Sequence, residues 1–143
     1  MRRIYDWAFL KANIDLGLLL IRVGIGVSLF IDHGWEKITN HAGMVPRYPD
    51  PVGLGREFSL YVATISDALG SVLLILGFLT RPMSLYFSVN VAVAFLLVFH
   101  ARIHPPGETA WVYFWWGVLL LFAGPGRYSL DYWLFKRKKS QGD

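Results

Sequence analysis

The chain contains no cysteine. That single absence excludes a disulfide, a thiol relay, a thiolate metal site and a Cys-ligated iron–sulfur cluster. It also excludes the thiol–disulfide mechanism of other four-helix membrane oxidoreductases, and it leaves the redox compartment unmarked. Charge is scarce: 17% of the residues are Asp, Glu, Lys or Arg, against 55% hydrophobic and 16% aromatic. There is no nucleotide-binding loop, no low-complexity tract and no convincing internal repeat. No two of the four histidines fall deep on facing helices, so a bis-His haem inside a bundle is not expected.

What the chain does have is four near-continuous apolar runs, approximately Leu16–Ile31, Phe58–Leu79, Pro82–Phe99 and Thr109–Gly124. A bilayer asks for roughly 17 to 25 such residues per spanning helix. The expected fold is therefore an all-α integral membrane protein, a four-transmembrane-helix antiparallel bundle forming a single domain over residues 1–143. The helices are placed at about 16–33, 58–79, 82–100 and 108–124. Residues 34–57 form an outer loop rich in Pro and Gly, long enough to cover the mouth of a cavity. Helices 2 and 3 make a tight hairpin through Leu79-Thr80-Arg81-Pro82, and Gly124-Pro125-Gly126 stops helix 4 before a basic tail over residues 127–143. The mixed polar and aromatic residues of Met1–Asn13 suit a short interfacial segment. Trp111, Trp115 and Trp116 are assigned mainly to an aromatic belt. The first run starts late, contains Arg22 and ends in Asp32-His33, which makes it a retained anchor instead of a removable signal.

The net charge of +4 reads as topology, with no nucleic-acid partner expected. Arg2, Arg3, Lys11, Arg81, Arg127, Lys136, Arg137, Lys138 and Lys139 flank one side, and Lys37, Arg47, Arg56 and Arg102 the other. The positive-inside rule then places both termini in the cytoplasm. Lys136–Lys139 would favour anionic lipid headgroups.

Arg22, Asp67 and Asn90 sit inside three of the apolar runs, where polar groups are costly and usually functional. Depth counted along the helices puts them at similar levels, so a pairing of Arg22 with Asp67, completed by Asn90, is expected. Such a group is a packing clasp, the floor of a polar cavity, or both. Arg22, Gly26, Leu29 and His33 share one helical face that leads from the buried Arg to the outer mouth. Ala63, Asp67, Gly70 and Ser71 form a small-residue face on helix 2. His33, Lys37, His100 and Glu108 gather near the outer surface, where histidine could exchange protons near neutral pH. His100 and His104 have a helical i,i+4 spacing, but Pro105 follows and the carboxylate partner is undefined, so no metal site is assigned.

The same residues carry a resemblance to the DoxX family of bacterial four-helix membrane proteins. The landmarks, in order, are Arg22, His33-Gly34 with Lys37 nearby, Asp67-Ala68-Leu69-Gly70, Leu76-Gly77-Phe78-Leu79-Thr80-Arg81, Asn90, His100, Glu108, and Gly124-Pro125-Gly126-Arg127-Tyr128-Ser129-Leu130-Asp131. They cover about Leu16 to Leu134. The chain departs from the family pattern at Asp67, where Glu is expected to be common, and in its longer outer loop. The resemblance implies a multi-pass protein of the bacterial inner membrane with a loose oxidoreductase connection, since relatives include the membrane subunit of a thiosulfate:quinone oxidoreductase and proteins linked to quinone or catechol stress. More distant relatives act as chaperones or cargo receptors.

On this reading the leading expectation is a quinone-binding membrane subunit. Arg22, Lys37, Asn90 and His33 would contact the ligand, while Asp67, Glu108, His33 and His100 would exchange protons. The sequence offers no evident place to hold an electron, so a cofactor or a redox protein partner is expected; a homo-oligomer stays open. The alternatives are a non-enzymatic scaffold, chaperone or assembly factor, and a small-solute binder or transporter.

Overall fold

Asn13 starts the first helix, its side-chain oxygen accepting from the backbone N–H of Leu16 at 3.0 Å. The computed structural model describes residues 13–139, so the interfacial segment expected over Met1–Asn13 lies outside the described residues except for Asn13. Helix α1 is Ile14–Thr39, α2 is Arg56–Leu76 and α3 is Thr80–Val98. Helix α4 is Gly107–Ala123 and α5 is Leu130–Lys139. The described residues contain helices and turns, and no strand.

The first three helices are each long and apolar enough to cross a membrane. Helix α4 has 17 residues, which at 1.5 Å per residue is about 26 Å, a little under the hydrocarbon thickness. The chain is a multi-pass membrane protein, and its side chains are distributed accordingly. Leu20, Ile31, Leu85, Val89, Leu96, Val112 and Phe122 are exposed, whereas Arg22, Lys37, Ser66, Asp67, Ser71, Thr80, Ser84 and Ser88 are buried. Water would not tolerate so much apolar surface, and hydrocarbon would not tolerate those polar groups facing outward.

Helix α1 does not end near His33, as its composition suggests. Residues Phe30–Gly34 pass through as a π-helical turn and the helix runs on to Thr39. Helix α2 has a similar turn at Ile65–Gly70, and α3 one at Ala94–Val98. Each π turn adds one residue to its local repeat and shifts the helical phase of the residues after it. On α1 the buried positions therefore run Arg22, Gly26, Leu29, Gly34, Lys37, with a step of five between Leu29 and Gly34.

Glycines set the approach of α1 to α2. A Cβ on Gly34 would meet the Asp67 carbonyl oxygen at 2.8 Å, and one on Gly26 would meet the Ile75 side chain. The antiparallel register thus puts Gly34 at Asp67 and Arg22 beside Gly77. Helix α3 lies against α4, where Gly117 admits Ser88 and Phe87. The apolar core is Leu29, Leu74, Phe87, Val91, Phe95, Ala110, Trp116 and Leu120. Trp116 belongs to this core, edge-on to Phe87 at 5.3 Å, and not to an interfacial belt. Trp115 is half exposed, as a belt residue should be.

At the hairpin end the closing motif docks on the α2–α3 turn. Gly77 adopts a left-handed conformation with φ 67°, a region open to glycine at little cost. Both Asp131 oxygens accept backbone N–H groups, from Leu79 and Thr80, each at 2.8 Å. That carboxylate caps the start of α3 from across the chain. Arg127 closes on Asp15.

A candidate ligand cavity at the loop end

Four elements meet around a cavity of about 430 Å³ at the opposite end, where residues 40–55 and 99–106 connect the helices. Lys37 enters from α1 and Asp67 from α2, with Nζ 2.8 Å from Oδ2. The pair is possible because the π turn rotates Lys37 inward and because long helical side chains lean back toward the helix N-terminus. Lys37 thereby reaches down one turn to the carboxylate opposite Gly34. Its ammonium also donates to the His33 carbonyl at 3.0 Å, which uses two of its three N–H bonds.

Asn90 of α3 lines the same space, as do His33 and Tyr113. The His33 ring stands edge-on to Tyr113 at 5.8 Å, and the Tyr113 hydroxyl lies 3.2 Å from Ser28 Oγ. Aliphatic and aromatic side chains, among them Leu29, Val91, Val98 and Phe99, make up the rest of the wall. A neutral, mostly apolar slot with a few convergent polar groups is the usual make-up of a small-molecule site.

Four of the residues singled out in the sequence are thus brought together: His33, Lys37, Asp67 and Asn90. Three are not. Arg22 does not meet Asp67; the register of α1 on α2 separates them by about 18 Å along the axis. Arg22 is fully buried at the hairpin end, where Nη2 donates to the Tyr128 carbonyl at 2.6 Å and Nε to that of Leu18. It is a clasp for the closing motif, while the floor of the cavity is Lys37–Asp67. The depth count misled because it was taken from assumed helix ends, whereas Gly26 and Gly34 fix the register. His100 and Glu108 are exposed and outside the cavity lining. His100 and Ala101 have φ of 52° and 56°, so the chain has left the helix there and the i,i+4 relation of His100 to His104 does not hold.

Tyr48 is the residue that sequence reading missed. It sits in the loop beside Pro49 and Pro51, and all three line the cavity. These three side chains bring the loop to the edge of the cavity. Burial, helped by the Asp67 charge, pushes the Tyr48 phenol from its ordinary 10.0 to about 12. Phenolate is the disfavoured form, so the contribution of Tyr48 to closure is complete below pH 10.0 and is lost as pH rises through about 12. A spectrophotometric titration of wild type minus Tyr48→Phe should show one phenol ionising near pH 12. An ordinary midpoint would contradict its placement against Asp67. Tyr48 lies in a proline-rich loop, where no helical or strand period marks a side chain as inward-facing.

A family profile described as DoxX matches residues 17–101. The chain is 32% identical over 129 residues to "Inner membrane protein YqjF" of Escherichia coli (strain K12), covering 86% of this chain and 95% of that protein. It is 26% identical over 132 residues to "Putative oxidoreductase CatD" of Bacillus subtilis (strain 168), covering 92% and 96% respectively. No solved structure matches the chain.

Proposed function

This chain belongs to the DoxX family, and from that premise we propose that it is the membrane subunit of an oxidoreductase system whose cavity takes a quinone head group. In this reading four helices span the bacterial inner membrane, both termini are cytoplasmic and the cavity faces outward. The near-continuous apolar run of α4 and its close seat on α3 support the fourth span. The nine-to-four bias of basic residues supports the orientation. The name of the Escherichia coli relative supports the membrane, and that of the Bacillus subtilis relative supports the oxidoreductase link.

The observation that carries the proposal is the Lys37–Asp67 pair set in the wall of an otherwise apolar cavity. A quinone ring needs an apolar slot and hydrogen-bond donors for its two carbonyl oxygens. Tyr48, held protonated, can donate; so can the Asn90 amide and the remaining N–H of Lys37. Asp67 neutralises Lys37, so the slot suits an uncharged ligand. A quinone, once bound, supplies two-electron, two-proton chemistry. The chain's own part is to orient the ring, exclude water and place Asp67 and His33 where they can exchange protons with it. Electrons come from a partner protein, because the sequence offers no thiol or cluster ligand to store them. His100 and Glu108 take no direct part, since neither borders the cavity. Titration of the detergent-purified protein with a short-chain quinone should give saturable binding, weakened in Asp67→Asn and His33→Ala. Binding that never saturates, or that both variants keep in full, would reject the proposal.

A further inference from the structure

Asp50 stands between two cavity-lining prolines without lining the cavity itself. Its Oδ1 accepts from Leu54 N at 3.1 Å and from Ser59 Oγ at 3.2 Å, and its Oδ2 accepts from Gly55 N at 3.0 Å. All three donors belong to the start of α2 or the turn leading into it. Two further ties join the loop to the same helix. The Arg56 guanidinium donates to the Pro46 carbonyl, and the His41 ring lies 4.4 Å from that of Tyr61. Gly53 and Gly55, with φ of 73° and 102°, allow the chain to turn back sharply enough for Asp50 to reach its donors.

The covering strip is built for an apolar interior. Pro49 and Pro51 have no N–H, so this stretch of backbone faces the cavity with two fewer donors to satisfy. The carboxylate between them is spent entirely on holding the strip down. Asp50 therefore does for the loop what Asp131 does for the hairpin: it fixes a connection by accepting backbone N–H groups.

We propose that Asp50 is a positioning residue that latches residues 48–51 as a lid over the cavity, and that this lid governs which small amphipathic molecules reach Lys37–Asp67. The role rests on reading the cavity as a ligand site. Latched, the cavity holds about 430 Å³ and admits a ring-sized head group. Released, Tyr48 and both prolines swing from the opening and bulkier molecules enter.

The cysteine-free chain makes the test clean. Ala63 is buried and lines the cavity, so Ala63→Cys in the full-length, detergent-purified protein reports access through the lid. A bulky maleimide should label it slowly. Adding Asp50→Ala removes three hydrogen bonds at once and should speed labelling roughly tenfold or more. Asp50→Asn keeps one acceptor oxygen and should fall between, and it carries the test if Asp50→Ala does not fold. A control cysteine at Ala42, exposed and outside the cavity, should label at one rate in all backgrounds. Labelling of Ala63→Cys that is equally fast with and without Asp50 overturns the lid. Slow labelling that Asp50→Ala releases, in a protein that binds no quinone, would leave the lid standing and reject the quinone alone.

Discussion

Lys37→Met should destabilise the folded protein by roughly 3 kcal/mol, and a second substitution, Asp67→Leu, should recover most of that loss. The single change removes the cation 2.8 Å from the Asp67 carboxylate and leaves that carboxylate buried without its partner. An ion pair in so dry a place is worth little net, because its attraction is set against the desolvation of both ions. Breaking it is another matter, since the orphaned charge keeps its whole penalty. Two apolar side chains remove the penalty with the pair, the extra bulk of the leucine being taken up by the adjoining cavity. Equilibrium unfolding of the four proteins of this cycle in detergent tests the claim. Additive effects of the two substitutions would mean that Lys37 and Asp67 are not coupled, and the cavity floor would have to be drawn differently.

The second large effect belongs to the other end of the molecule. Gly77→Ala should cost about 3 kcal/mol or more, from two sources that add. One is the left-handed backbone, φ 67°, which an L side chain adopts with strain. The other is space: the new methyl would fall on Arg22 Nη1 and within 2.5 Å of Ser129 Cβ. Gly24 supplies the comparison, since a Cβ there meets nothing within 4 Å and lies in a regular helix. Gly24→Ala should be neutral or slightly stabilising. Equal melting temperatures for the two variants would mean that Arg22 and Ser129 are not locked against the hairpin.

These two sites divide what the sequence could tell from what it could not. The helices were legible because hydrocarbon imposes a length and a composition, and each of the four apolar runs coincides with a helix. Their internal register was not legible. A π turn leaves no mark on a run such as Phe30-Ile31-Asp32-His33-Gly34, which reads equally well as a helix end. Its effect on Lys37 is large, however, turning a residue expected at the outer surface into the buried partner of Asp67. Charge complementarity correctly marked Asp67 as a residue needing a cation, but helical counting chose the wrong one, because register is set by close glycine contacts between helices. Asn90, singled out by its depth in a helix, and His33, singled out by the face it was expected to share with Arg22, both border the cavity, although the π turn breaks that face before His33. Tyr48 escaped, as loop side chains carry no periodicity that points them inward. Asp50 escaped, and Asp131 was marked only as the end of the closing run: each acts by accepting backbone N–H groups, and that is visible only once the backbone is laid out.

The two ends also separate two kinds of buried polarity that look alike in a sequence. Arg22 and Asp131 hold connections together and border no part of the loop-end cavity. Lys37 and Asp67 border it. Substitutions at the hairpin end should therefore act on stability, whereas those at the loop end should act on ligand occupancy as well.

Occupancy is the quantity on which the quinone reading depends most. The organic extract of protein purified in mild detergent, analysed by mass spectrometry against the same extract of Asp67→Asn, measures it without any assumption about a redox partner. Quinone should be present at close to one per chain in the wild type and lost in a variant that remains folded. Quinone absent from the wild type, or retained equally in folded Asp67→Asn, would contradict a ligand site floored by Lys37 and Asp67.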